Sequence, residues 1–335
     1  MAARKELKNY GHRDPAECDL SLISGPFIWE NEAKRALAVD PGRVFGAYAL
    51  PGQDPDLVQL LAQHENVDPD WIRLTAGADL GLEIVLRQLL EAGDHLAVLC
   101  PNFPRFNLVA SSIEGVTCSR HLKADQLPDN ARLIAVCTPN NPTTEELPQA
   151  LLEKIITDHP DTMICIDGVF DWYGSHGLAE FCRKHRNVIL LKSFSKIGLA
   201  GLRLGYMVST PFNMECLGLG QSPFSVPALV QQVGLEVARN FNRIDELKEL
   251  LSTGWKQIHG ALGDLVIRQS PVPFYLLKTN RESTEAVDLL AQEGISVVDS
   301  VHFYGLDNNV ARVAIGTPEQ NEQLIRTVDR LGIVG

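Results

Sequence analysis

The strongest chemical signal in this 335-residue chain is Lys196, set among small residues in Ser193-Phe194-Ser195-Lys196-Ile197-Gly198. A lysine held at a strand end, at the mouth of a pocket, loses hydration. Its pKa falls and its amine becomes nucleophilic toward an aldehyde. Most lone lysines are solvated surface groups, so the case for Lys196 rests on its company. Gly77-Ala78-Asp79 follows the apolar run WIRLT, Pro101-Asn102-Phe103 follows HLAVLC, Asn140-Asn141-Pro142 follows ARLIAVC, and Asp167 closes TMICID. Taken singly, Asp167 reads equally well as a helix cap, Asn141-Pro142 as a turn, Phe103 as core, and Arg312 as a surface arginine. Their joint occurrence is what points to a site.

The elements that must position these residues follow from periodicity. From about Trp71, short apolar runs of buried-strand type (HLAVLC, ARLIAVC, TMICID, NVILLKS) alternate with helical stretches such as LPQALLEKIITDH. DLGLEIVLRQLLEAG reads as an amphipathic helix ending at a glycine cap. This alternation predicts an α/β fold with a mostly parallel sheet between helices. In such sheets ligands bind beyond the carboxyl ends of the strands, where the polar and aromatic residues above fall. The later chain changes character. It is helical and charged from about Val226 to Leu262, followed by strand candidates LVIRQ, PFYLLKT, ISVVD and VARVAIG, the helical ESTEAVDLLAQEG, and a final helix from about Pro318. The expected division is a large domain over 41–230 and a smaller α+β domain over 231–335, with 1–40 packing on the smaller one.

Composition bounds the function. Hydrophobic residues make up 45% of the chain and charged ones 21%, which is ordinary for a globular protein with a sizeable core. The net charge of −12 argues against a nucleic-acid or anionic-membrane surface, which would need clustered Lys and Arg. The seven cysteines are scattered without a CxxC pair, so a reducing cytoplasm is the expected compartment. No secretory leader, spanning segment or metal site is expected.

The segment Ser193 to Tyr206, which includes Gly198-Leu199-Ala200-Gly201-Leu202-Arg203, resembles the cofactor-lysine motif of fold-type I pyridoxal 5'-phosphate (PLP) enzymes, the class I/II aminotransferases. Histidinol-phosphate aminotransferase and threonine-phosphate decarboxylase are the two branches it is most similar to, from about Tyr48 to the C-terminus. The resemblance implies roles. Lys196 is the Schiff-base lysine and proton shuttle. Asp167 pairs with the pyridinium nitrogen and keeps the ring an electron sink. Asn141 donates to the ring oxygen, and Phe103 stacks on the ring. Gly77, Ala78 and Asp79 open a helix whose free N–H groups and positive end suit a phosphate. Ser193, Ser195 and Arg203 are further phosphate ligands, and Tyr48 reaches the phosphate in the neighbouring subunit of a homodimer. Arg312 grips the substrate α-carboxylate bidentately. The implied partner is a small amino acid.

Four departures from the family pattern stand out. Phe170 occupies the place of a tyrosine three residues after Asp167. The interval from Lys196 to Arg203 is one residue short. Thr144 stands where the pattern has glycine, so that turn must avoid positive φ or carry strain. Ser24-Gly25-Pro26-Phe27 replaces an asparagine-proline motif. Transamination is the favoured reaction, with α-decarboxylation, or elimination or cyclisation in specialised metabolism, as alternatives. Tyr10-Gly11-His12-Arg13 and Arg105 are candidate cations for a distal substrate anion.

Overall fold

The computed structural model describes residues 16–333, apart from 47, 49–51 and 176. Tyr10, Gly11, His12 and Arg13 lie outside the described residues. A two-residue strand, Cys18–Asp19 (β1), precedes the seven strands of the central sheet. These are Ile72–Thr75 (β2), His95–Leu99 (β3), Thr117–His121 (β4), Leu133–Cys137 (β5), Met163–Asp167 (β6), Val188–Ser193 (β7) and Gly205–Val208 (β8). Their spatial order is β2-β8-β7-β6-β5-β3-β4. β8 is antiparallel to both neighbours and the remaining pairings are parallel.

The sheet is buried on both faces, and β5 shows why its sequence is continuously apolar. Ile134 and Val136 join one apolar cluster, Leu133 and Ala135 the other. Successive side chains of a strand point to opposite faces, so a two-faced core needs apolar residues at every position. β4 is the exception. Its TCSRH sequence lies at the sheet edge, largely exposed, and carries no such signal.

The smaller unit contains Phe274–Lys278 (β9), Ile295–Ser296 (β10), Val298–Asp299 (β11) and Val310–Ala314 (β12). β11, β12 and β9 form an antiparallel sheet, while β10 pairs in parallel with β1. The helices Ile244–Leu262 and Pro318–Arg330 pack against each other beside it. Three sequence expectations differ here. LVIRQ is not a strand; it makes a single bridge, Val266 to Leu277. ISVVD is divided at Val297 between two different sheets. The helix Ala78–Leu89 ends at an extended Leu90, ahead of Gly93, so the glycine serves the next turn and not the cap. The N-terminal segment touches both units. β1 extends the small one through β10, whereas the helix Glu30–Leu37 packs on the helix Ala228–Ala238 with an Arg35–Glu236 ion pair at 2.9 Å.

Candidate active site

Strand ends of the central sheet open onto a cleft of about 580 Å³. Lys196, Asp167, Asn141, Phe103, Arg203 and Arg312 all line it. Lys196 sits in the short helical turn Phe194–Ile197 that caps β7. Its Nζ donates to the Ile23 carbonyl at 2.9 Å. Burial, with help from the Arg312 charge, pushes its pKa down to about 8. Lys192, four residues earlier on β7, is the opposite case. It is buried between Asp171 and Glu65, which outweigh the cost of burial and raise its pKa. Of these two lysines, only Lys196 is placed to be a neutral amine near physiological pH.

The turn bearing Lys196 is clamped from two sides. Trp29 Nε1 donates to the Ile197 carbonyl at 2.6 Å, and the Tyr173 hydroxyl donates to the Lys196 carbonyl. Gly198 (φ +86°) donates its N–H to the Ser24 carbonyl at 2.7 Å, and a Cβ on it would meet the Pro26 carbonyl oxygen. A side chain there would push the 24–27 segment off the turn.

Asp167, at the end of β6, is 4% exposed, and burial pushes its pKa up to about 6. It accepts from the Val169 amide at 3.2 Å. Phe170 is buried against Phe274, ring centroids 5.0 Å apart, with the Lys196 ammonium 5.5 Å from its ring centre. It therefore lies beside Lys196 and offers no hydroxyl there.

Arg312, on β12, reaches across from the small sheet. Nη1 donates to Asn141 Oδ1 at 2.8 Å and Nη2 to the Ser21 carbonyl at 2.7 Å, while Nε has no protein partner. Phe274 and Phe303 flank the guanidinium. The Ser21 and Ile23 carbonyls are site groups that sequence reasoning missed, because a backbone acceptor leaves no mark on residue type.

Of the remaining expected residues, Ala78, Asp79, Ser193, Ser195 and Arg203 line the same cleft. Gly77 (φ +83°) precedes the helix Ala78–Leu89, which has no side-chain cap. Arg203 adopts a left-handed conformation (φ +51°), which brings its guanidinium beside Gly77; a Cβ on Gly77 would lie 2.8 Å from Nη2. Ser193 and Ser195 are buried at the same lining, with Ser193 Oγ accepting from the Ser195 amide at 3.0 Å. Asp79 is gripped by Arg105 through two bonds of 2.7 and 3.2 Å. Tyr48 is 75% exposed and stacks on Phe224, outside its own chain's cleft lining. Thr144 keeps a positive φ of +65°, so the turn after Asn141 carries the strain that glycine would relieve.

No helix among the described residues is long and apolar enough to cross a membrane, and these residues contain no cluster fit to hold a metal ion. The family model for "Aminotransferase class I and II" matches residues 29–328. A histidinol-phosphate aminotransferase of Symbiobacterium thermophilum is 28% identical, with 88% of this chain and 85% of that protein covered. The crystal structure of histidinol-phosphate aminotransferase from Sinorhizobium meliloti in complex with pyridoxal-5'-phosphate superposes with a TM-score of 0.81 at 21% identity, covering 99% and 95% of the two chains. That of L-threonine-O-3-phosphate decarboxylase from Porphyromonas gingivalis gives 0.79 at 20% identity, covering 93% and 98%. The fold is that of the fold-type I PLP enzymes, and the chain belongs to the class I and II aminotransferases.

Proposed function

We propose that the protein is a PLP-dependent aminotransferase in which Lys196 carries the cofactor and the α-amino group of an amino acid is passed to a keto acid. A phosphorylated or otherwise anionic amino acid is the favoured substrate class. The observation that carries the reading is the convergence of Lys196, Asp167 and Arg312 in one cleft. The residues fit the cofactor. Asp167 is a buried carboxylate lacking an ion-pair partner at bonding distance among the described residues, suited to a protonated ring nitrogen. Arg203 beside the uncapped helix start suits a phosphate. Asn141 and Phe103 line the space between.

Bound there, PLP supplies an electron sink for negative charge developing at the substrate Cα. The chain supplies the rest. Arg312 holds the substrate carboxylate, its unpaired Nε being a donor left for a ligand. Asp167 holds the charge of the ring nitrogen. Lys196 Nζ, with a pKa near 8, accepts the proton that leaves the substrate Cα and returns it. The Ile23 carbonyl offers that ammonium a resting acceptor.

The test is a half-reaction. The yellow enzyme is mixed with one amino acid and no keto acid. An aminotransferase is converted stoichiometrically to the pyridoxamine form. A decarboxylase would keep its aldehyde and release carbon dioxide over many turnovers, and that result would replace this reading with its main alternative.

The exposed Tyr48–Phe224 stack supports a homodimer in which Tyr48 serves the neighbouring cofactor. An active monomer on sizing would overturn it. A cytoplasmic setting fits the reduced cysteines. The proposed division is a cleft-bearing large domain, 41–230, and a small domain, 231–335, that brings Arg312; β1 supports seating the N-terminal segment on the small one, while Ser24 and Trp29 also bind it to the Lys196 turn of the large one.

A further inference from the structure

We infer that Arg105 is a positioning residue for the cofactor phosphate: it takes the Asp79 carboxylate out of competition for the helix N-terminus and for Arg203. The inference rests on the PLP reading above and assigns a task that this reading leaves open.

The problem it solves is visible in the charges. The phosphate end of the cleft is built on the first turn of the helix Ala78–Leu89, with Arg203 alongside Gly77. The second residue of that helix is Asp79, which lines the same cleft. A carboxylate in a helix first turn is attracted to the same N–H groups and positive end that a phosphate needs. It is also attracted to the same arginine, and it repels a bound phosphate. Left alone, Asp79 would therefore be an internal competitor of the cofactor.

The structure shows where the carboxylate goes instead. Both oxygens are turned onto Arg105, Oδ1 taking Nε at 2.7 Å and Oδ2 taking Nη2 at 3.2 Å. Arg105 begins the helix Arg105–Ala110, two residues after the cleft-lining Phe103, so the ring wall and the carboxylate clamp arrive on one segment. Glu83, one turn further along the Asp79 helix, lies 3.6 Å from Arg105 Nη2 and accepts from Arg87 Nε at 2.8 Å. The helix keeps no side-chain cap, and Arg203 makes no ion pair among the described residues. With its fork committed to Asp79, Arg105 is not the free cation for a distal substrate anion that its place near Phe103 suggests in the sequence. The pair is partly exposed and adds little to fold stability by itself. Its effect is on what binds next to it.

The experiment measures PLP binding to the cofactor-free protein by quenching of tryptophan fluorescence, for wild type, Arg105→Met, Asp79→Asn and the double variant. In charge the local pair goes from zero to −1, +1 and zero. Arg105→Met should weaken PLP by roughly tenfold or more, Asp79→Asn should tighten it, and the double variant should return close to wild type. The loss in Arg105→Met should be mirrored by weaker competition from inorganic phosphate. A thermal melt of each variant separates this from loss of folding, since a damaged fold would not be repaired by Asp79→Asn. Unchanged PLP affinity in Arg105→Met, or a double variant as weak as Arg105→Met alone, overturns the inference. Wild-type protein that fails to bind PLP would instead overturn the cofactor reading itself.

Discussion

Arg312 donates to Asn141 Oδ1 at 2.8 Å, joining the small antiparallel sheet to the turn that follows β5. A guanidinium from one unit and an amide from the other thus meet in the cleft. Two further contacts tie the same turn to the small unit, Ser270 Oγ to the Thr144 carbonyl at 3.2 Å and Arg268 to Glu145 at 2.6 Å. The geometry of the Arg312–Asn141 pair depends on how the two units seat on each other.

Replacing Arg312 with leucine should therefore cost more than one hydrogen bond. It removes the proposed carboxylate anchor and leaves Asn141 Oδ1 and the Ser21 carbonyl without their donor. We expect kcat/KM to fall on the order of a hundredfold or more, with Asn141→Ala less damaging for the substrate. Steady-state kinetics across amino acids of different charge would check this. An unchanged KM in Arg312→Leu would remove the residue from the substrate site.

Asp167 gives a pH signature of stability. Its folded pKa of about 6 lies above the ordinary 3.8, so the cofactor-free native state binds more protons than the unfolded state between those values. Its contribution to stability is therefore fully present at low pH and is lost as pH rises through 6. Asp167→Asn should raise the melting temperature of the cofactor-free protein at pH 7 relative to wild type, narrow that gap near pH 4, and abolish activity. A wild-type advantage at pH 7 would contradict the assignment of an unbalanced buried carboxylate.

Much of this site was legible in the sequence because it sits where strand ends put it. Lys196, Asp167, Asn141, Phe103 and Gly77 each follow an apolar run, and a mostly parallel sheet gathers such ends at one edge. What escaped had no residue-type signature. β4 is polar because it is an edge strand, and ISVVD reads as one strand although Val297 is where the chain leaves one sheet for another. The holding of Lys196 and Arg312 by backbone carbonyls of Ser21 and Ile23 cannot be seen in any side-chain pattern. The left-handed turn at Arg203 is similarly silent, since arginine has no preference for it.

Thr144 should be a site of recoverable stability. Its φ of +65° is strained for a β-branched residue, and its Oγ1 is buried with no partner in the protein. Thr144→Gly removes both costs while loosening the unfolded chain, for a net gain of about 1 kcal/mol. Denaturant unfolding of the cofactor-free protein would measure it. A loss of stability would mean the hydroxyl is satisfied by water.

Phe170→Tyr should shift the cofactor's spectrum. The added hydroxyl would donate toward the ring oxygen from a ring whose centre lies 5.5 Å from the lysine ammonium. Stabilising negative charge there favours loss of the proton from the lysine-bound cofactor. The yellow, protonated form should therefore persist to higher pH in wild type than in Phe170→Tyr. Coincident spectrophotometric titrations would contradict that.

Lys196, and not its neighbour Lys192, is the lysine proposed to carry the cofactor. Reducing the PLP-loaded protein with borohydride and mapping the modified peptide by mass spectrometry tests it directly. A single pyridoxyl group is expected on Lys196, whose pKa is pushed down to about 8, and none on Lys192, which is locked between Asp171 and Glu65. A label on Lys192, or no stable label on either, would contradict it.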